Sequence, residues 1–265
     1  MMTLDFLYGI VLLSMIPVRY EPAEQSEMVT QLMFGDTFRV IEEDGNWLHI
    51  RNDFDNYEGW VYNRTVFQLD EETYREITES RPAIVASFQA TVQEEDKPLT
   101  HIVQGSSLPN YNHETQTFRV GDRVFHFDGE VATTPENCRT QLIENAKTYL
   151  NAPYLWGGKS AYGIDCSGFV QQVSKVVGIK LPRDASQQVL LGDDVSFLEN
   201  VKPGDLAFFD NEEGRIIHVG ILLSKDRIIH ASGQVRIDSI DQEGIYNLEL
   251  GEYTHNLRTI KKIIE

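Results

Sequence analysis

Cysteine is scarce in this chain: 265 residues carry two thiols, Cys138 and Cys166. Two thiols cannot staple a small disulfide-rich scaffold, so stability must come from packed cores. Basic residues are also few, with 23 Lys and Arg against 41 Asp and Glu, a net charge of −18. Such a chain does not grip nucleic acid or an anionic polymer by charge. The imbalance is greatest in residues 1–80, which hold 16 acidic and 5 basic residues. An acidic surface of this kind serves solubility in the plain reading, and it would also attract a small cationic group such as a free amine. Long hydrophobic runs are missing as well. The apolar stretch from Phe6 to Ile16 is broken by Gly9 and Ser14, follows Asp5, and has no preceding Lys or Arg. It is too short to span a bilayer and lacks the basic start of a secretion signal. It reads instead as a first buried strand over Tyr8–Leu13. No membrane partner and a cytoplasmic location are the expectations, unless a leader has been removed.

Close-spaced Cys and His ligand pairs are absent too, so no zinc site, and no other metal or cofactor, is expected from Cys166, His218 and His230. Gly157-Gly158-Lys159-Ser160 ends like a phosphate loop, but the earlier glycine that such a loop needs would fall at Pro153.

What is present is a β-rich chain of the α+β class, read as three domains over 1–70, 81–134 and 135–265. Residues 8–68 read as a small β barrel. Phe38–Ile41 and Trp47–Ile50 are strands joined through the turn signal Asp44-Gly45, and Gly59-Trp60-Val61 starts another. The pattern resembles bacterial SH3-like domains. Asp70–Ser80 reads as a short helix or linker ending before Pro82. Ala83–Val92, Thr117–Val120 and Val124–Phe127 read as strands of a second, divergent SH3-like barrel. Thr117-Phe118-Arg119-Val120 echoes Thr37-Phe38-Arg39-Val40. At Thr134-Pro135 an N-cap and N1 pair predicts a helix start. Cys138, Leu142, Ile143, Ala146, Tyr149 and Leu150 fall on one helical stripe, so Cys138 is expected in the core.

Gly163-Ile164-Asp165-Cys166-Ser167-Gly168-Phe169-Val170 carries the chemistry. Phe169, Val170, Val173, Val176 and Val177 make an amphipathic helix that ends at Gly178, with Asp165 as N-cap and Cys166 in the first turn. Backbone N–H groups and the helix dipole favour a thiolate there and can hold an oxyanion nearby. His218 and His230 lie in strand-like runs, each six residues from Ser224. A hairpin centred on Ser224 makes them cross-strand neighbours on one face, so that one imidazole serves the thiol and the other orients the first. A buried structural cysteine and two partly buried sheet histidines are the plain alternatives. The other histidines, His255 among them, read as surface or structural.

These residues resemble the NlpC-type, papain-like cysteine peptidases of bacterial cell-wall peptide metabolism. The resemblance covers most of 135–265. It rests on Pro153–Gly158, Gly163–Val170, Leu181–Gln188, Pro203–Leu206, His218–Ile221 and Ile229–Ser232. It implies a papain-like domain with N-terminal helices packed on an antiparallel sheet, preceded by the two SH3-like barrels. It also implies Cys166 as nucleophile, His218 as general base and His230 as its orienter. Tyr154 takes the position of a tyrosine near the oxyanion, while Asp165, Ser167 and Ser186 line the substrate peptide. As helix-start residues these three also have ordinary capping roles. Two SH3-like domains ahead of such a domain resemble the γ-D-glutamyl-L-diamino acid endopeptidases. In that group a tyrosine and a carboxylate of the first barrel hold the free amine of an N-terminal L-Ala. Tyr57 fits the tyrosine, and Glu27, with Glu24 close by, is the candidate carboxylate; a packed Tyr57 and a solvated Glu27, one acid among sixteen, are the plain alternatives. The expected partners are small peptidoglycan-derived peptides, met by a monomer. A hydrolase of intact wall anchored by its SH3-like domains, and a non-catalytic wall-peptide binder, are the alternatives.

Overall fold

The computed structural model describes residues 7–133 and 135–264. The chain divides into two compact units, Met1–Thr133 and Thr134–Glu265.

In the first unit, β1 (Tyr8–Ile10), β2 (Met15–Arg19), β3 (Met28–Met33), β4 (Thr37–Asp44), β5 (Trp47–Asn52), β6 (Glu58–Tyr62) and β7 (Phe67–Leu69) form an antiparallel sheet in the order β3-β2-β6-β5-β4-β1-β7. Alternation buries Val18, Leu32, Phe38, Val40, Leu48, Ile50 and Val61 on one face. Asp44 pairs with Trp47, so the β4–β5 loop is Gly45-Asn46, one residue beyond the expected turn. Gly45 takes φ +59°, which a glycine adopts without a Cβ penalty. The stretch after β7 is a helix, α1 (Glu71–Glu79). The Asp70 side chain caps it by accepting from the Thr73 N–H at 2.7 Å.

β8 (Ala83–Ile84), β9 (Gln89–Glu94), β10 (Thr100–Val103), β11 (Ser107–Leu108), β12 (Thr117–Val120) and β13 (Arg123–Asp128) follow. The single strand expected over Ala83–Val92 is two, β8 pairing β11 while β9 joins a sheet ordered β10-β9-β13-β12. Tyr74 and Ile77 of α1 pack in one cluster with Phe34, Val92, Phe118 and Phe125, so the two sheets share a core across this helix.

In the second unit, α2 (Cys138–Thr148) starts later than the sequence suggests. Asn137 is its N-cap, accepting from Thr140 N–H, while Pro135 precedes the helix and Thr134 lies outside the described residues. The Asn137 amide oxygen reaches the third helical N–H, which fixes the start of the helix there. Cys138 is therefore a first-turn residue at the margin of the core, only partly buried, and not a core thiol. β14 (Lys159–Ser160) and β15 (Gly163–Ile164) form a short hairpin before α3 (Cys166–Val176) and α4 (Ala185–Gln188). β16 (Asp193–Asp194), β17 (Leu206–Asp210), β18 (Ile216–Ser224), β19 (Arg227–Ser232), β20 (Gln234–Ile240), β21 (Gly244–Asn247) and β22 (Glu252–Lys262) complete the unit.

The strand order is β16-β22-β17-β18-β19-β20-β21, and β21 also pairs β22. Strands β17 to β22 therefore close into an antiparallel barrel. Its outer face packs Leu206, Phe208, Val219, Ile221, Ile229 and Val235 against Leu142, Phe169, Val170 and Val173 of the helices. Its inner face packs Ala207, Phe209, Leu222, Ile228, Ile240 and Ile245. Burying Phe169 fully is worth about 2–3 kcal/mol. This packing seats α3, and with it Cys166, against β18.

Candidate active site

Asp165 opens α3 with extended backbone (φ −94°, ψ 177°) and accepts the Gly168 N–H at 2.7 Å. Its other oxygen accepts the Gly157 N–H at 2.8 Å. Arg183 grips both oxygens, Nη1 to Oδ1 at 3.0 Å and Nη2 to Oδ2 at 2.5 Å, and Nη1 also donates to Ser167 Oγ at 2.9 Å. The guanidinium is 1% exposed. A fork-on-fork pair in this setting binds the Gly157 loop, the helix start and the Arg183 segment into one rigid piece. Gly168 is required here, because a Cβ would lie 2.5 Å from the Gly158 carbonyl oxygen and 2.9 Å from Asp165 Oδ1. Asp165 and Ser167 are thus buried and hydrogen-bonded within the protein, with Asp165 in the capping role.

Cys166 follows in the first turn and is buried. Burial first, then the Asp165 charge, push its thiol up to about 11, against hydrogen bonds from the backbone of Val219 and Ser167 and the charge of Arg183. The thiolate expected from the helix start is therefore not the resting form. Desolvation outweighs the dipole here.

The thiol sits against β18 at Val219, next to His218 in the chain. The hairpin register differs from the symmetric one expected. Ser224 pairs Arg227 around a Lys225-Asp226 turn, a bulge lies between Leu222 and Ser224, and Gly220, not His218, stands opposite His230. His218 and His230 become diagonal neighbours on the inner face of the barrel, still within reach. His218 Nε2 and His230 Nδ1 are 2.9 Å apart. Burial, then the neighbouring rings of His230 and His255, hold His218 well below the usual histidine range. It rests as a neutral imidazole, able to take a proton.

Three residues that the sequence reading left aside complete the cluster. His230 Nε2 lies 3.0 Å from Asp238 Oδ2, and Arg236 holds that carboxylate. His255, read as surface or structural, lies over the His218 ring with centroids 4.1 Å apart. Burial, then His230, bring His255 down to about 4. Asp238 and Arg236 share the alternation of β20 with the core residue Ile240, a period-2 signal that places them on one face with His230. Among the described residues no group of three or more His, Cys, Asp or Glu is arranged to hold a metal ion.

Tyr154 is half-buried, and Cys166 and Asp165 are among the charges that act on its hydroxyl, whose proton burial holds more tightly than usual. It therefore neighbours the thiol. Ser186 is exposed in α4, whose N-cap is Asp184. In the first unit, Tyr57 is half-buried directly before β6 and Glu27 is exposed directly before β3. Arg19 pairs both Met28 and Trp60, so Glu27 and Tyr57 lie at the same end of the β3-β2-β6 run.

Residues 151–251 match the NlpC/P60 family, and residues 18–64 match the bacterial dipeptidyl-peptidase Sh3 domain. The chain is 32% identical over 220 residues to a gamma-D-glutamyl-L-lysine dipeptidyl-peptidase of Bacillus subtilis, covering 76% of this chain and 71% of that one. It is 28% identical over 259 residues to dipeptidyl-peptidase 6 of Lysinibacillus sphaericus, covering 89% and 92%. The crystal structure of an NlpC/P60 family protein from Bacillus cereus superposes with a TM-score of 0.79 at 20% identity, covering 97% of this chain and all of that one, a likeness of fold. With a buried thiol at a helix start against the strand that carries a paired histidine, and a relative this similar over most of both chains, the chain belongs to the NlpC/P60 family and is a cysteine peptidase.

Proposed function

We propose that the protein hydrolyses the γ-D-glutamyl–diamino acid bond of short peptidoglycan-derived peptides that carry a free N-terminal L-Ala, as a step in cytoplasmic recycling of wall fragments. Cys166 is the nucleophile and attacks the amide carbonyl. His218 takes the thiol proton and later gives it to the leaving amine, while His230 holds the His218 ring. Backbone N–H groups at the start of α3, with Tyr154 beside them, stabilise the tetrahedral oxyanion. Water then attacks the thioester, with His218 as base, and restores the thiol. The observation that carries this reading is the junction of Cys166 with β18, where the next residue along from Val219 is a histidine already paired to a second histidine. The names of the Bacillus and Lysinibacillus relatives support the bond class.

Glu27 and Tyr57 are proposed to hold the substrate ammonium. A carboxylate that pairs with an ammonium discriminates against blocked termini, because acylation removes the positive charge it recognises. Asp165, Ser167 and Ser186 are proposed to border the peptide, and the sheet of β9, β10, β12 and β13 to be a second SH3-like fold. The test compares L-Ala-γ-D-Glu-diaminopimelate with its N-acetylated form, using the protein and Cys166→Ala, with products weighed. Cleavage of the free peptide alone, falling at least roughly 1,000-fold in Cys166→Ala, is expected. Equal cleavage of both peptides, or cleavage of intact wall, would overturn the free-amine specificity. Activity in Cys166→Ala would overturn the nucleophile.

A further inference from the structure

The histidine pair does not end at His230. His230 Nε2 meets Asp238 Oδ2 at 3.0 Å, with side chains 1% and 5% exposed. Arg236 Nε donates to the same oxygen at 2.7 Å and Nη2 to Oδ1 at 3.0 Å, while Nη1 reaches Glu249 at 3.1 Å. Arg236 stands directly across from His230 in the β19–β20 pair, and Asp238 is two residues on, so all three share one face. The carboxylate is held flat from one side and aimed at the ring from the other.

Two neutral imidazoles joined by one hydrogen bond can share it in either sense. If His230 Nδ1–H donates, His218 must accept at Nε2 and carry its own proton on Nδ1, leaving no lone pair for a thiol. A carboxylate removes this choice because it only accepts. Hydrogen bonds from His230 and Arg236 hold Asp238 ionised against its burial. His230 therefore carries its proton on Nε2 and accepts at Nδ1. His218 then donates from Nε2 and keeps a free lone pair on Nδ1. His255 meets His218 by its face, at 31° between planes, and so offers no competing in-plane acceptor.

We propose that Asp238, clamped by Arg236, is a positioning residue that sets the tautomers of both histidines, so that His218 presents Nδ1 to the Cys166 thiol. This rests on the reading of Cys166 as nucleophile and His218 as base. Asp238 touches no reacting atom. It acts through two rings, much as a triad carboxylate acts through one. When His218 takes the thiol proton on Nδ1, its Nε2–H remains on His230, and the imidazolium forms without any ring turning.

The experiment is a two-bond proton–nitrogen correlation spectrum of the full-length protein labelled with 15N-histidine at about pH 8. Both His218 and His230 are expected as Nε2–H tautomers with unprotonated Nδ1. In Asp238→Asn, Arg236 draws the amide oxygen and turns the NH2 toward His230. His230 is then expected to shift to Nδ1–H and His218 with it. Turnover should fall at least roughly 100-fold with KM little changed, as expected for a wrong tautomer. A wild-type spectrum showing His218 protonated at Nδ1 overturns the inference, and so does Asp238→Asn with wild-type tautomers and turnover. Should Asp238→Asn fail to fold, the wild-type spectrum decides alone. Activity in Cys166→Ala would instead sink the nucleophile reading, whatever the tautomers.

Discussion

Gly220 stands directly opposite His230 across the β18–β19 pair, and a Cβ built on it would lie 2.8 Å from the His230 Cβ and 2.7 Å from Ile228 Cδ1. The isoleucine methyl can turn aside. The histidine Cβ is fixed to its strand, and its ring is tied at both nitrogens. Gly220→Ala is therefore expected to push His230 off His218, lose about 1–3 kcal/mol of stability by overpacking, and cut turnover more than roughly tenfold. Urea unfolding and peptide cleavage measure the two losses. A variant with wild-type turnover would show that the pair tolerates the shift.

The Arg183–Asp165 pair makes a second prediction. Removing the guanidinium in Arg183→Met leaves a buried carboxylate with two backbone N–H donors and a long contact from the Ser167 hydroxyl but no counter-charge, at a cost of about 3–5 kcal/mol. Removing both charges, in Arg183→Met with Asp165→Asn, should recover much of that loss, since the desolvation cost goes with them. Urea unfolding of the single and double variants decides it. Equal stability of Arg183→Met and wild type would mean that the pair does not hold the loop.

Much of this site can be read from residue order, and the reasons differ from part to part. Asp165-Cys166-Ser167-Gly168 is legible because an N-cap, a thiol and a helical stripe are local features. The histidines are legible as a pair because strand alternation keeps residues of the same parity on one face. Their exact partners are not, since the turn falls at Lys225-Asp226 instead of Ser224 and a bulge between Leu222 and Ser224 shifts the register by one residue, and bulges leave little trace in sequence. His255 and Asp238 stay hidden for other reasons. For His255 the approach to His218 depends on β22 pairing β17 and β21, a long-range pairing that no local pattern encodes, whereas Asp238 reaches His230 across the β19–β20 hairpin, whose register alone decides which β20 residue arrives. In the first unit, Asp70 caps a helix as the sequence suggests, but the core that this helix joins between two sheets draws on residues from Ile10 to Phe127.

Acid should act through the histidines. His255 is held at about 4 by burial and His230, and His218 is displaced in the same direction. The unfolded chain takes up protons near the ordinary value of 6.5, and the folded protein resists. This contribution is therefore complete above pH 6.5 and drains away as pH falls from 6.5 toward 4. For His255 alone it amounts to about 3 kcal/mol over the whole window. His255→Phe keeps a ring over His218 without a titrating nitrogen. Comparing urea unfolding at pH 7.5 and 4.5, the wild type should lose about 2 kcal/mol more than His255→Phe. Equal losses would show that His255 does not titrate in this window.

The resting thiol yields the last prediction. With Cys166 pushed up to about 11 and His218 held low, the free enzyme stores no thiolate–imidazolium pair at neutral pH. Alkylation by iodoacetamide reports the thiolate. Its rate at Cys166 should climb about tenfold per pH unit from pH 6 to 10, as for a single buried thiol, without a plateau between pH 5 and 8. Mass spectrometry separates this site from Cys138, which is more exposed. A plateau in the acid range would mean that the helix start and His218 ionise the thiol before substrate arrives. Without one, proton transfer to His218 belongs to the chemical step, and turnover should then slow in deuterium oxide while alkylation at fixed thiolate fraction does not.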